Sequence, residues 1–361
     1  MAINAFTSAG LSRAVTDLSN AQMTERVMRQ FPDAPEGVHL SETLEYGHDV
    51  RDPRILHYRK PGEKAGIVKA AVGTLKHLRF PMLREETAFA EVDARVLDPS
   101  LEAYRGRNDT DANANFMGMV MKQLDYLLEL IRGTHVVSCY SALQTGVVTF
   151  DYPDAPSETI DFGFGSAGTA VTSIIRTALN GTTTPTAIWT HANALPMKNI
   201  DTLVADARAT SKYAGPYDVL MGRAAWDAFS VHSTVVNMLD NRRIDGGNLA
   251  LREDAEFKGS YNGYNVYLID TRYVLNTTWT AAWGTNTVAV VPRNPTGWFS
   301  TEYGAPFEIP APGMDPAFIP IKVFAKTYTE ENPPLKKILV ESRPIPLIKN
   351  PRCMRVQNMI S

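Results

Sequence analysis

The chain has 361 residues, 44% of them hydrophobic and 21% charged, with a formal net charge of −3. That length exceeds one typical domain, and the composition suits packed cores rather than a disordered polymer. The near-neutral balance excludes a global field directed at nucleic acid or a membrane surface, and two cysteines, Cys139 and Cys353, exclude a disulfide framework and a cysteine zinc site.

The first twenty residues, MAINAFTSAGLSRAVTDLSN, lack a continuous apolar run before a cleavage site, and no stretch of about eighteen apolar residues occurs anywhere. The expectation is a cytoplasmic chain with no membrane span. Residues 1–43 read as an arm with short helical pieces, since Leu18, Met23, Val27 and Met28 fall near helical spacing before RQFPDAPEG breaks the pattern with two prolines.

Residues 51–79 shift in composition, with 8 Lys or Arg against 2 acidic residues and breakers at Pro61, Gly62 and Gly66. Their apolar stretches are too brief to form a core. Loops beyond roughly 12–15 residues are usually functional or disordered in compact domains. Folded back as a hairpin, a segment of about 36 residues projects about 60 Å, and a lone hairpin is marginal in water. It should therefore lie on another surface, with an acidic bed favoured by its positive excess. One aromatic, Tyr58, and no RNA-platform motif make nucleic acid the weaker partner.

From Asn108 onward, Phe116, Val120, Leu124, Leu127, Leu128 and Ile131 form one stripe after the cap candidates Asp109, Thr110 and Asp111. The spacing predicts a helix to about Leu143, spanning about 50 Å. GVVTFDY and ETIDFGF then alternate as a hairpin, and residues 169–196 are threonine-rich. MKNIDTLVADARATS reads as an amphipathic helix, YDVLMG as a buried strand, RAAWDAFS as a short helix, and FKGSYNGYNVYLID as a hairpin turning at Asn262-Gly263. NTVAVVP and TGWFSTEYGAPFEI add strands. The end returns to long strands: Ile319, Ile321 and Val323 share a face, ENPP turns, and Leu335–Leu347 reads as one strand. In VESRPIPLIKNP, Pro344 and Pro346 alternate, so both missing amide donors face one side and that side cannot continue a ladder.

Catalytic constellations are weak. GFGSAG (163–168) fits G-x-G-x-x-G, but the strand before it alternates, it ends a hairpin rather than opening a βαβ unit, and the acidic residue expected about twenty positions on is replaced by Trp189 and Thr190. A dinucleotide enzyme at 163–168 is therefore the distant alternative, and a glycine-rich connector the simpler reading. The seven histidines show no metal-binding spacing, and neither G-x-S-x-G nor a P-loop occurs. Asp151 and Asp154 belong to a turn, and Cys139 packs within the long helix. No cofactor, metal or catalytic residue is expected.

The order of these parts resembles the major capsid protein family of lambda-like tailed bacteriophages. The resemblance rests on LKHLRFPMLREETAFAEVDARVLDP, the helix from about 109, GPYDVLMGRAAWDAFSVHSTVVNMLDNRR, FKGSYNGYNVYLIDTRYV and KVFAKTYTEENPPLKKILVESRPIPLIKNPRCMRVQ, about three quarters of the chain. It implies an α+β subunit with the tailed-phage major capsid protein fold, shared with encapsulins. The implied parts are an N-terminal arm (1–43), an extended loop (44–82), a peripheral domain with a long spine helix and a β-sheet (83–200), an α/β axial domain (201–314) and return strands to the peripheral domain (315–361). It further implies self-assembly through hexamers and pentamers into an icosahedral shell around double-stranded DNA held nonspecifically, with scaffolding, portal and decoration proteins as partners. The location implied is the virion, and the host cytoplasm during assembly. An encapsulin-like nanocompartment shell is the alternative within the fold. The candidate intersubunit contacts are Arg51, Arg54, Arg59, Lys60, Lys64, Lys69, Lys76 and Arg79 on the loop, with Arg343, Pro344, Pro346 and Lys349 on the closing border strand.

Overall fold

The computed structural model describes residues 26–47, 75–89, 109–152, 155–162, 188–211, 213–237, 256–275, 278–294, 297–308, 317–331 and 334–360. Helix α1 (Arg26–Gln30) leads into β1 (Asp33–His39), then β2 (Thr43–Gly47), β3 (Leu75–Arg79) and β4 (Leu83–Phe89). The long helix α2 covers Asp109–Thr145, 37 residues, and the hairpin β5 (Val147–Tyr152) and β6 (Ala155–Asp161) follows it. Next come α3 (Pro196–Ser211), β7 (Tyr217–Gly222), α4 (Arg223–Val231), β8 (Phe257–Tyr261), β9 (Tyr264–Ile269), β10 (Arg272–Leu275) and β11 (Thr278–Ala281). The chain ends with β12 (Thr287–Pro292), β13 (Phe299–Gly304), β14 (Phe307–Glu308), β15 (Ala317–Phe318), β16 (Val323–Glu331), β17 (Pro334–Ser342), β18 (Pro344–Ile348) and β19 (Arg355–Asn358).

These elements fall into two compact units, 1–44 with 78–138 and 301–346, and 45–77 with 139–300 and 347–361. In the first, the stripe read from the sequence becomes a core. Val120, Leu124, Leu127, Leu128 and Ile131 pack on Val323, Ala325, Ile338 and Val340 of a sheet ordered β16-β17-β4. Each of the Val, Leu and Ile side chains among them contributes about 1.5–3 kcal/mol by leaving water. β16 and β17 run antiparallel from Val323↔Ser342 to Glu331↔Pro334, the first and last residues of ENPP. Ile319 and Ile321 precede β16 rather than extending it, and Arg343 divides the expected Leu335–Leu347 strand into β17 and β18, which lie in different sheets.

β1 is the element the sequence hid. Pro32, Pro35 and Gly37 read as breakers, yet β1 pairs in parallel with β13, and the register slips between Asp33 and Val38, where the bulge accommodates Pro35 and the positive φ of Gly37. Thr301 N donates to Pro32 O at 2.9 Å and Ala305 N to His39 O at 2.8 Å. Beneath this ladder His135 is fully buried and bonds Thr301 Oγ1 at 3.2 Å. Burial pushes its pKa down to about 4, partly opposed by Asp33, so the imidazole is neutral near pH 7.

The second unit is built on a mixed sheet ordered β19-β12-β7-β9-β8. β7 and β9 are parallel; the other neighbours are antiparallel. All six residues of β7 and of β12 are buried, which requires cover on both faces. Ile200, Leu203, Val204 and Ala207 of α3 and Ala225 and Phe229 of α4 pack with Tyr217, Val219, Met221, Val266, Val288 and Val290. The β8–β9 hairpin turns at Asn262 (φ 48) and Gly263 (φ 84), as the Asn-Gly pair foretold. β19 closes the sheet beside β12, and buried Arg355 reaches from it to Asp206 and Thr210 of α3. The return segment expected over 315–361 is thus shared: β16 and β17 lie in the first unit and β19 in the second.

Candidate assembly surfaces

The loop surface begins at a two-stranded sheet of β2 and β3, which flank residues 48–74 in the sequence. His77 and Glu45 make an exposed pair at 3.3 Å on it, and Phe80 N donates to Glu42 O at 3.1 Å just beyond it. Phe80 then stacks on His39, whose Nε2 lies 3.0 Å from Glu302 Oε2. Gly304 permits this packing, since a Cβ there would stand 2.6 Å from the Phe80 ring. Of the eight basic candidates on the loop, Arg79 is exposed at the end of β3 and Lys76 is within β3. Arg51, Arg54, Arg59, Lys60, Lys64 and Lys69 lie outside the described residues, as does the GFGSAG stretch.

A second surface is the side of the β16-β17-β4 sheet turned from α2. A groove of about 590 Å³ is lined by Arg84, Glu85, Glu86, Lys326, Tyr328 and Leu339. Tyr328 donates its hydroxyl to Glu86, and Lys337 lies 3.5 Å from the same carboxylate and over the Tyr328 ring. The Tyr328 hydrogen bond, aided by Lys337, holds the Glu86 carboxyl below the usual carboxylate range. Sequence reading missed this mixed-charge face because its residues meet only across strands: Lys326 opposes Leu339, and Leu339 opposes Glu86.

The third surface is the proline strand. β18 ends the sheet ordered β1-β13-β18. Gly304 N bonds Arg343 O at 3.0 Å and Lys349 N bonds Trp298 O at 2.7 Å. Odd-numbered residues of β18 therefore turn their amides toward β13, and Pro344 and Pro346 fall on the opposite edge, where a donor is missing without cost to the ladder. All five residues of β18 are buried within the chain, Arg343 is 14% exposed and bound to Glu341, and Lys349 is half-buried. Pro344 and Pro346 are themselves buried within the chain, on the edge turned away from β13.

Among the described residues no cluster of three or more His, Cys, Asp or Glu could hold a metal, and no helix is long and apolar enough to cross a membrane. The buried cysteines are structural: Cys353 bonds Asn350 O, and burial pushes its thiol above the ordinary range. What the chain presents is extended or charged surface around two cores.

The sequence pattern of phage major capsid protein E matches residues 7–356. The chain belongs to that family. Two solved structures are similar over nearly their whole lengths. One is a protein assigned as the capsid protein of an Escherichia coli CFT073 prophage, 12% identical, with 97% of this chain and 99% of that one aligned and a TM-score of 0.57. The other is a phage-related protein from Bordetella bronchiseptica RB50, 13% identical, with 96% of each chain aligned and a TM-score of 0.52. No curated protein sequence matches this chain. The fold is that of tailed-phage major capsid proteins, as the resemblance carried by its sequence implied. For a capsid protein, Pro344 and Pro346 have a testable structural duty. Valine at either position restores an amide donor at a buried edge, which is expected to cost about 1–3 kcal/mol, measured as a lowered unfolding midpoint of the free subunit in urea.

Proposed function

We propose that this major capsid protein assembles through hexamers and pentamers into an icosahedral shell enclosing packaged double-stranded DNA. The excursion through residues 48–74 is the segment that ties neighbouring copies together. The observation that carries this reading is the β2–β3 base: it holds both ends of a 27-residue stretch at one place. That stretch contains six Lys or Arg against three Asp or Glu and has too few apolar residues for a core of its own. A segment so built gains stable contacts by lying on another subunit, where each copy needs interfaces of the obligate class, above about 2,000 Å².

In this reading the unit holding most of α2 and the β16-β17-β4 sheet is the peripheral domain, and the unit built on the five-stranded sheet is the axial domain. Scaffolding, portal and decoration proteins are the further partners, and DNA is held without sequence recognition. Assembly takes place in the host cytoplasm, and the subunit acts by association rather than catalysis.

The test replaces residues 50–72 by a short glycine-containing turn that keeps β2 and β3 paired. Co-expressed with the neighbouring head genes, this variant is expected to stay folded and soluble while closed particles fall at least about tenfold by negative-stain microscopy, the loss that removal of obligate contact area implies. Normal shells from the shortened chain would overturn the role of the excursion.

A further inference from the structure

The β10–β11 hairpin carries a feature that neither core uses. Val274 and Trp279 are directly opposite each other in its register, on one face, and they are 53% and 69% exposed. The opposing pair Tyr273 and Thr280 on the other face is half-buried. No third strand joins this ladder among the described residues, and Ala282 N to Thr271 O at 2.9 Å closes its base. Exposed Arg272 sits on the same strand as Val274, paired with Asp270 at 3.5 Å. An isolated two-stranded ladder gains little in water by holding a tryptophan outward. Trp and Arg together are the residue types that dominate binding energy at interfaces.

We propose that the Val274–Trp279 face is a docking peg that inserts against the next copy of this chain in the shell. Area argues for that occupant. The two side chains offer on the order of 200 Å², against roughly 800 Å² per partner in a stable two-body interface. The face is thus too small to hold a separate protein by itself and fits as one part of a larger contact between copies already tied together. The same unit carries a second exposed apolar spot, Val231 at 79% and Val236 at 41%, on either side of His232. A peg and a different receiving surface on every copy is the arrangement a head-to-tail contact needs, and a ring of such contacts closes on itself. This inference rests on the shell reading above and adds to it a site on the β10–β11 hairpin, about 200 residues beyond the excursion in the sequence.

Tryptophan fluorescence tests it. The chain has five tryptophans; Trp189 and Trp283 are 1% exposed and Trp226 and Trp298 half-buried, so Trp279 dominates what a small quencher reaches. Acrylamide quenching of the full chain is measured as free subunits and as shells formed with the head genes, for the wild type, Trp279→Phe and Trp279→Ser. Expected is a fall in the readily quenched component on shell formation, absent in both variants. Particle yield should be retained by Trp279→Phe and reduced at least about tenfold by Trp279→Ser, as for a binding hot spot. The free Trp279→Ser subunit should keep the wild-type unfolding midpoint. Wild-type shells in which Trp279 stays as quenchable as in free subunits would overturn the peg and leave the shell reading standing. Protection that appears only when a second protein species joins the shell would overturn the assignment to a copy of this chain. Failure of the wild type to form any shell would overturn both readings.

Discussion

Replacing Gly222 by alanine is expected to destabilise the subunit by about 4 kcal/mol or more, enough to drive much of the chain into aggregates. Gly222 joins β7 directly to α4, with φ −73° and ψ 164°, a conformation alanine adopts freely. The penalty is therefore steric, not conformational. A Cβ at this position would stand 2.1 Å from Gly284 O and 2.5 Å from Thr285 O, both backbone atoms. That backbone is not free to retreat. Thr285 O accepts the Ala225 amide at 3.0 Å, satisfying one of the open donors at the start of α4. Gly284 N donates to Gln144 Oε1 at 3.2 Å, and Trp283, 1% exposed, packs edge-on to Tyr140. Two other glycines supply the contrast. Gly263 has open space but φ +84°, so Gly263→Ala should cost about 1 kcal/mol. Gly133 lies exposed in α2 with nothing near its Cβ position, and Gly133→Ala should raise stability by up to about 1 kcal/mol. Urea midpoints of the three variants should follow that order; a mild Gly222→Ala would show that the 284–285 loop yields.

Local periodicity carried most of the fold into the sequence. The α2 stripe, the buried face of α3, the Asn262-Gly263 turn and the ENPP turn are all fixed by residues within a few positions of one another. Each could be read without knowing its partner. β1 could not. Pro35 and Gly37 within it, and Pro32 just before it, argue against a strand, and only the ladder offered by β13, more than 250 residues away in sequence, makes it one. The break at Arg343 and the placing of β19 beside β12 were hidden for the same reason: sheet membership is a long-range property. The edge prolines show both sides at once. Their alternation correctly implied one donor-free edge, but burial of that edge depends on what the rest of the chain lays over it.

The candidate assembly surfaces were legible in part. The basic bias of residues 51–79 is a compositional fact, and the pairing of β2 with β3 gives it a geometric base. The groove at Arg84, Glu86, Lys326 and Tyr328 exists only once three strands are in register. Trp279 in TWTA could have been read as a core residue of an alternating strand; its exposure follows from the hairpin having no described neighbour.

Removing the guanidinium of Arg293 is the other change expected to matter most. Arg293 follows β12 and donates from Nε to Asp218 Oδ1 at 2.7 Å and from Nη2 to Gly263 O at 3.0 Å, joining the end of β7 to the β8–β9 turn. Asp218 is 0% exposed, so Arg293→Ala removes the guanidinium paired with a buried carboxylate. Breaking a buried pair from one side typically costs about 3–5 kcal/mol, or on the order of 10 °C in Tm. Converting the acid to its neutral amide should return much of that loss, so Arg293→Ala with Asp218→Asn is expected to melt above Arg293→Ala alone. The pH dependence has a definite sign. A buried carboxyl stripped of its cation binds a proton more tightly folded than unfolded, where its pKa is about 3.9. The stability deficit of Arg293→Ala is therefore greatest near neutral pH and shrinks as the pH falls through the raised folded pKa. The double variant carries no such group and should show a flat deficit over the same range. Equal melting of single and double variants at neutral pH would mean that Arg293 stabilises the unit through its carbonyl contacts and not through the charge of Asp218.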